Sequence, residues 1–437
     1  MNPEEINNEK LKEKYFYLKH ESGLNIYVYP KENYNSIYCI IGTKFGSINN
    51  EFKDINTGRI IQVPDGIAHF LEHKLFENKN HADALSLFAK LGASANAYTS
   101  FDKTAYLFSC IDNFEESLKT LLDFVQNPYF TEQTIQKEQG IIGQEIQMYT
   151  DSPEWKVLIN LLSSMYFFHP VRIDIAGSIE SISKITPENL YVCHNNFYNL
   201  NNMTLCISGN VNPSNVFEIV DKNLDSKVSE KNFNVQSVFP DEPYAVKQDY
   251  ISEEFEINSP IFNLGFKEDL NDLTVDSKML AHTEILLYSI FSKSSKLYKE
   301  LLDQSLINTD SFSCEYFEGP KFASVIISGE SNNPERVSRI VKKELEEIKK
   351  NGIDKTVFEI AKKAIYGKNL KIFNDISSIS NMILDFSLSK RDYFKSIDQL
   401  VNANLDDVNS RLNFQLNESK ACLSVVQPKL KLPFFNS

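Results

Sequence analysis

The residues best suited to chemistry are five in a row, His69-Phe70-Leu71-Glu72-His73. On a helix, His69 and His73 stand one turn apart and project from one face. Two imidazoles at that spacing can grip one zinc ion at about 2.0–2.1 Å. Glu72 falls beside the same face. It can touch a water at the metal without being a ligand. The order HxxEH inverts the better-known HExxH, and either direction works, because two ligands and a base on one helical stripe are all that is needed. The simpler reading is two surface histidines on an amphipathic helix. The apolar residues Phe70, Leu71 and Leu75 count against it, since they draw the helix into a core, where an imidazole pair needs a partner.

Zinc needs a third protein ligand and one open position. The stretch KEQGIIGQEIQMYTDSP (137–153) offers Glu138 and Glu145. They are two helical turns apart and so share a face. One can ligate while the other hydrogen-bonds a ligand. Taken alone, two such glutamates are most often solvated, and only the upstream histidines give them weight. His20, His81, His194 and His282 lack ligand spacing and read as packing or surface residues. His169, beside Pro170 and Arg172, reads as structural. KKELEEIKK (342–350) is a solvated helix face. Glycine-rich nucleotide loops are absent.

The elements that must position these groups follow from period and punctuation. Strands are expected at 25–30, 36–47, 93–100, 103–111 and 203–209, and helices at 63–77, 81–92, 113–126, 131–149, 153–167 and 212–224. Asp65, after Pro64, is expected to cap the helix that carries the histidines. Residues 226–250 are polar, aperiodic and contain two prolines, which reads as a linker. Beyond it the style repeats, with strands at 257–267, 321–330 and 421–428 and helices within 274–303 and 333–370. LCISGNVNPSNVFEIV and VIISGESNNPERVSRIV both run strand, glycine, Asn/Pro turn, helix, which points to two homologous halves. The domains are therefore read as 1–225, with the site, and 251–437, with 226–250 between them.

The 437 residues suit two to four domains at roughly 100–200 residues each,. The charge of −14 and a pI near 5.1 argue against a nucleic-acid binder, which needs a basic footprint,. Six cysteines without a CxxC pair read as buried reduced thiols,. The N-terminus lacks the apolar core of a signal peptide, and no apolar run approaches the roughly 18 residues of a membrane span. A soluble cytoplasmic protein is expected.

GIAHFLEHKLFE, SANAYTS, EQGIIGQEIQMY and HPVRIDIAGSIESISKITPENL, in that order, resemble the insulinase-like M16 metallopeptidases. The resemblance covers the whole chain and is strongest over 60–210. It implies an α+β fold of two homologous domains, each an antiparallel-rich mixed sheet with helices on one face, forming half of a clam-like chamber. It implies one zinc per chain on His69, His73 and Glu145, with Glu72 as catalytic base and Glu138 as the acid behind a ligand. The gap between the second histidine and the ligand glutamate is a little shorter than the family's. SANAYTS resembles the family's substrate-binding edge strand, with Asn96 and Ala97 facing the reacting carbonyl. An exposed edge can take an extended peptide as an added strand.

One departure concerns the second half. Active family chambers carry an Arg and, seven residues on, a Tyr facing the zinc. Here those places fall near Leu302 and near Asn308 or Thr309. The resemblance thus implies a zinc endopeptidase subunit acting on short or unfolded peptides, as in leader processing. A paralogous M16 subunit would supply the missing pair in a heterodimer; a homodimer is the alternative assembly. The rival reading is a weak or inactive subunit that binds peptides or serves as a scaffold.

Overall fold

The computed structural model describes residues 3–77, 84–224, 235–270 and 274–429. Parts of the expected 81–92 helix and of the 226–250 linker, and His81, lie outside these residues. The first half of the chain gives strands β1 (Glu4–Asn8), β2 (Glu13–Lys19), β3 (Asn25–Pro30), β4 (Ile37–Thr43), β5 (Glu51–Lys53), β6 (Ile60–Gln62), β7 (Ser94–Thr99), β8 (Thr104–Cys110) and β9 (Met203–Gly209). Its helices are α1 (Ile67–Leu75), α2 (Ala84–Lys90), α3 (Phe114–Gln126), α4 (Glu132–Thr150), α5 (Pro153–Met165), α6 (Ile179–Ile182), α7 (Pro187–Phe197) and α8 (Pro213–Asn223). The second half gives β10 (Gln236–Ser237), β11 (Tyr250–Phe255), β12 (Ile261–Lys267), β13 (Ser313–Gly319), β14 (Phe322–Glu330) and β15 (Ala421–Pro428). Its helices are α9 (Ser277–Phe291), α10 (Lys296–Asp303), α11 (Pro334–Asn351), α12 (Lys355–Ile372), α13 (Ile376–Leu388), α14 (Tyr393–Asn402) and α15 (Leu405–Gln415).

One sheet has seven strands in the order β1-β2-β3-β9-β4-β8-β7, antiparallel throughout except β3 with β9. A second has five in the order β11-β15-β12-β14-β13, antiparallel except β11 with β15, and a small third has three, β10-β5-β6. The five strands from β3 to β7 and those from β11 to β13 therefore have the same order and the same directions. This is the repeat, and it is an α+β fold of two similarly built halves. The sequence clue to it needs correction. It aligned β9–α8 with β14–α11, but the topology pairs β14 with β8 and β15 with β9. Both strand–turn–helix runs exist. They resemble each other because each ends a buried strand at an Asn-capped helix with Pro at its first position, a local solution that recurs without homology.

The central strand β4, IYCIIGT, is buried along its whole length. Alternate residues Ile37, Cys39 and Ile41 join the core beneath the helices, with Val28, Tyr106, Phe108 and Leu205 from neighbouring strands. The core of the second sheet is built likewise from Phe262, Leu264, Phe266, Val325 and Val425. Helices pack mainly on this face. In addition, α13 lies on the other face of the first sheet, over β9 and β4, and α5 on the other face of the second, over β15 and β12.

The compact units are accordingly 1–146 with 174–239 and 367–395, and 147–173 with 240–366 and 396–437. They differ from the consecutive stretches 1–225 and 251–437 read from the linker by the exchanged segments. Each half of the chain lends one helix to the other half's sheet, a non-local exchange that no local signal announces. A glycine in each central strand permits it. A Cβ on Gly42 would lie 2.8 Å from Leu384 of α13, and one on Gly265 would lie 2.4 Å from Met165 of α5.

Asp65 does not cap α1. The cap position is Gly66, at φ 86, and no side chain caps it. A Cβ there would meet Ala176 O at 2.3 Å. The backbone at 65–66 presses against 176–177, and only glycine allows that approach in a left-handed conformation,. Asp65 instead accepts a hydrogen bond from Asn50 Nδ2 at 2.8 Å. All six cysteines are free, five of them buried. Among the described residues no helix is long and apolar enough to cross a membrane.

Candidate metal centre

Helix α1 is buried on nearly every side, including His69 and Glu72, and His73 is half-buried. Packing therefore restrains His69 and Glu72. His69 Nε2 lies 3.6 Å from Glu145 Oε1, and His73 Nε2 lies 3.5 Å from Glu145 Oε2. One donor atom from each of the three residues lies within 4.8 Å of the other two. The gaps to Glu145 are too long for hydrogen bonds. They suit a shared cation: two ligands about 2.1 Å from a tetrahedral ion sit roughly 3.4 Å apart. Two imidazoles and one carboxylate are also the donor chemistry zinc accepts at a site with an open position.

Glu138, buried on α4, meets His73 Nδ1 at 3.0 Å. That bond places the ring proton on Nδ1 and leaves the Nε2 lone pair facing Glu145. Burial pulls the His73 pKa down, but the Glu138 bond and the charges of Glu72, Glu138 and Glu145 outweigh it and raise the value. His69 has no such brace. Its Nδ1 is buried and takes no hydrogen bond among the described residues.

Glu72 points along the same stripe as the histidines. Burial raises its pKa, while the Thr99 hydroxyl and the two imidazoles pull the other way. Thr99 Oγ1 donates to Glu72 Oε2 at 2.6 Å. Reading residue types and spacing gave Thr99 no role. Its signal lies in the pairing of β7 with α1, which is tertiary.

Asn96 and Ala97 sit on β7, the outermost strand of its sheet, opposite Leu107 and Tyr106 of β8. Asn96 is exposed, and its Oδ1 accepts from the Ala97 backbone N–H at 2.9 Å. Leu302 is partly exposed near the end of α10. Asn308 is exposed and bound within its own turn, accepting from Asp310 N and Ser311 N. His169 and His194 are packing residues that donate from Nε2 to the carbonyls of Pro320 and Val125.

Comparison with known proteins places the chain in a family. The sequence model of the insulinase family, peptidase family M16, matches residues 54–178, and that of the peptidase M16 inactive domain matches 184–365. A protein of Bacillus subtilis named YmfH, an uncharacterized zinc protease, is 37% identical over 427 residues, 97% of this chain and 99% of the relative. The crystal structure of an M16-like peptidase from Alicyclobacillus acidocaldarius is 31% identical, covers 98% of this chain and 99% of its own, and superposes with a TM-score of 0.89. A mitochondrial-processing peptidase subunit beta of Arabidopsis thaliana is 30% identical over 183 residues, 41% of this chain and 34% of the relative. With likeness to zinc proteases over nearly its full length, the chain belongs to the insulinase-like M16 family of peptidases.

Proposed function

We propose that this protein is a zinc-dependent endopeptidase subunit that hydrolyses short or unfolded peptides. The observation that carries this reading is the convergence of His69, His73 and Glu145 with Glu72 beside them on the same helix face. His69, His73 and Glu145 hold the metal in this reading, and Glu138 keeps His73 in the ligating tautomer. Zinc bound there supplies Lewis acidity, which acidifies water and polarises a carbonyl. Glu72 takes a proton on Oε1 from the attacking water and delivers it to the leaving amine. The β7 edge at Asn96 and Ala97 takes the substrate as an added strand, with Asn96 withdrawing its side chain from the Ala97 N–H as the peptide docks.

The catalytic part in chain order is 1–225 and the second part 251–437, with the exchanged helices as their mutual contribution. A paralogous M16 subunit in a heterodimer supplies the Arg and Tyr that this chain lacks near Leu302 and Asn308 or Thr309; a homodimer, which would lack the pair, is the alternative assembly. That the Arabidopsis relative is a named subunit supports a two-chain assembly. Six free thiols support a reducing compartment such as the cytoplasm,. Peptide or leader processing is the matching task.

The absent Arg and Tyr also favour a second reading, a subunit of little or no activity that binds peptides for a partner. One experiment separates the two. The purified chain, alone and with its paralogue, is assayed for zinc and for digestion of an unstructured peptide library. The peptidase reading expects one zinc per chain and turnover. It also expects Glu72→Gln to keep the zinc and lose about 10²–10⁴-fold in rate. A full-rate Glu72→Gln protein, or no turnover under either condition, contradicts it.

A further inference from the structure

Strand alternation puts Ala95, Ala97 and Thr99 of β7 on one face and Asn96 and Tyr98 on the other. Ala95 and Ala97 pack against the core that includes α1. Tyr98 reaches the opposite side, toward Asn381 of α13 at 3.4 Å. Thr99 ends the inward row, where its hydroxyl meets Glu72. Behind it stands Thr104 of β8, the cross-strand partner of Thr99, fully buried, with the two hydroxyl oxygens 3.2 Å apart.

A hydroxyl has one proton to give. Thr104 Oγ1 donates to the backbone carbonyl of Phe45 at 2.7 Å. That acceptor cannot reverse, so the Thr104 proton is committed there. Among the described residues the Thr99 proton then has Glu72 as its only short acceptor, at 2.6 Å. The row Phe45, Thr104, Thr99, Glu72 therefore has one polarity. Glu72 Oε2 is tied, and Oε1 takes no hydrogen bond among the described residues.

We propose that Thr99 is a positioning residue for Glu72. It holds Oε2, restrains the carboxylate and leaves Oε1 as the oxygen better placed to carry the proton,. The inference rests on the peptidase reading above. It adds that the strand receiving the substrate also aims the base, since Ala97 and Thr99 are alternate residues of the same face. A loosened strand end would cost turnover rather than affinity.

Two readouts test this. In the zinc-loaded protein, Thr99→Val is expected to lower kcat about tenfold to a hundredfold, the size of one lost hydrogen bond to a charged group, with KM and zinc content unchanged. Thr99→Ser, which keeps the hydroxyl, is expected to recover most of that loss. In the metal-free protein, Thr99→Val is expected to lower the melting temperature when Glu72 is present and to have no further effect in Glu72→Ala. Additive melting shifts, or a Thr99→Val enzyme at the wild-type kcat, overturn the inference. A wild-type protein without turnover overturns the peptidase reading instead. An active wild type with an indifferent Thr99→Val overturns only the role of Thr99.

Discussion

In the first unit, α1 runs between β4 and β7 and turns His69, Glu72 and His73 toward Glu145 on α4. In the second, α9 occupies the same step between β12 and β13. Its buried His282 lies near Asp407, and its Thr283 accepts from Arg411 Nε at 2.9 Å. Arg411 grips Glu268 through both ends of its guanidinium, and Tyr316 and Gln415 complete the cluster. The helices that lead to the exchanged segments differ in the same sense. Helix α4 carries Glu132, Glu138 and Glu145, whereas α12 carries Glu359 as its one carboxylate among several lysines. One topology thus serves two ends. The second unit pairs its buried Glu268 with Arg411, and the first sets the Glu145 carboxylate 3.5–3.6 Å from two imidazoles, a spacing that suits a shared cation,. Function here lives in side chains placed on a shared scaffold.

The largest effect expected from breaking this contrast is on the closed cluster. Arg411→Met leaves Glu268 buried without its partner. It should cost about 3–5 kcal/mol of stability by urea unfolding. Zinc content of the folded fraction should not change. A loss of zinc at constant stability would show that the two clusters are not independent.

The shared scaffold can be attacked at equivalent places. Gly42→Val and Gly265→Val each push a side chain into the exchanged helix and should cost about 1–3 kcal/mol or more apiece. Similar costs would sharpen the equivalence of the two sheets. A tolerant Gly42 beside an intolerant Gly265 would break it.

Each unit also buries a histidine whose pKa falls far below the usual value. Burial holds His194 in the first and His169 in the second at a pKa of about 4, although a carbonyl hydrogen bond pulls each upward. Unfolded histidines titrate near 6.5. Below that value the unfolded chain binds more protons than the folded one, so stability is full above about pH 6.5 and falls toward pH 4. Relative to pH 7, metal-free protein at pH 5 should lose roughly 2 kcal/mol from each site. His194→Gln, which keeps a donor for Val125, should remove its share of that slope in urea unfolding.

The smallest effect concerns tuning within the centre. Glu138→Gln weakens the brace on His73 and should reduce zinc affinity about tenfold, toward the lower end for residues behind a ligand. A chelator competition measures it. An unchanged affinity would leave Glu138 without a part in the site.

The HxxEH stripe was legible in the sequence because one helix carries all three groups, and helical spacing is local information. Glu138 and Glu145 were legible as a pair for the same reason. Their meeting with α1 was inferred from family likeness, since nothing local specifies it. The exchange of α5 and α13 was not legible, because a helix written in one half packs on the sheet of the other. Strands β1, β2, β11 and β13 were missed where charged residues interrupt the alternation, as in SCEYFEG. Asp65 misled because cap preference is a weaker constraint than the backbone contact that demands Gly66.

The central claim is that two histidines and a glutamate share one ion. X-ray absorption at the zinc edge of the loaded wild-type protein tests it most directly. The account predicts two imidazole nitrogens and at least one oxygen near 2.0–2.1 Å, with the second imidazole lost in His73→Ala. A spectrum without imidazole scattering, or one unchanged in His73→Ala, would contradict it.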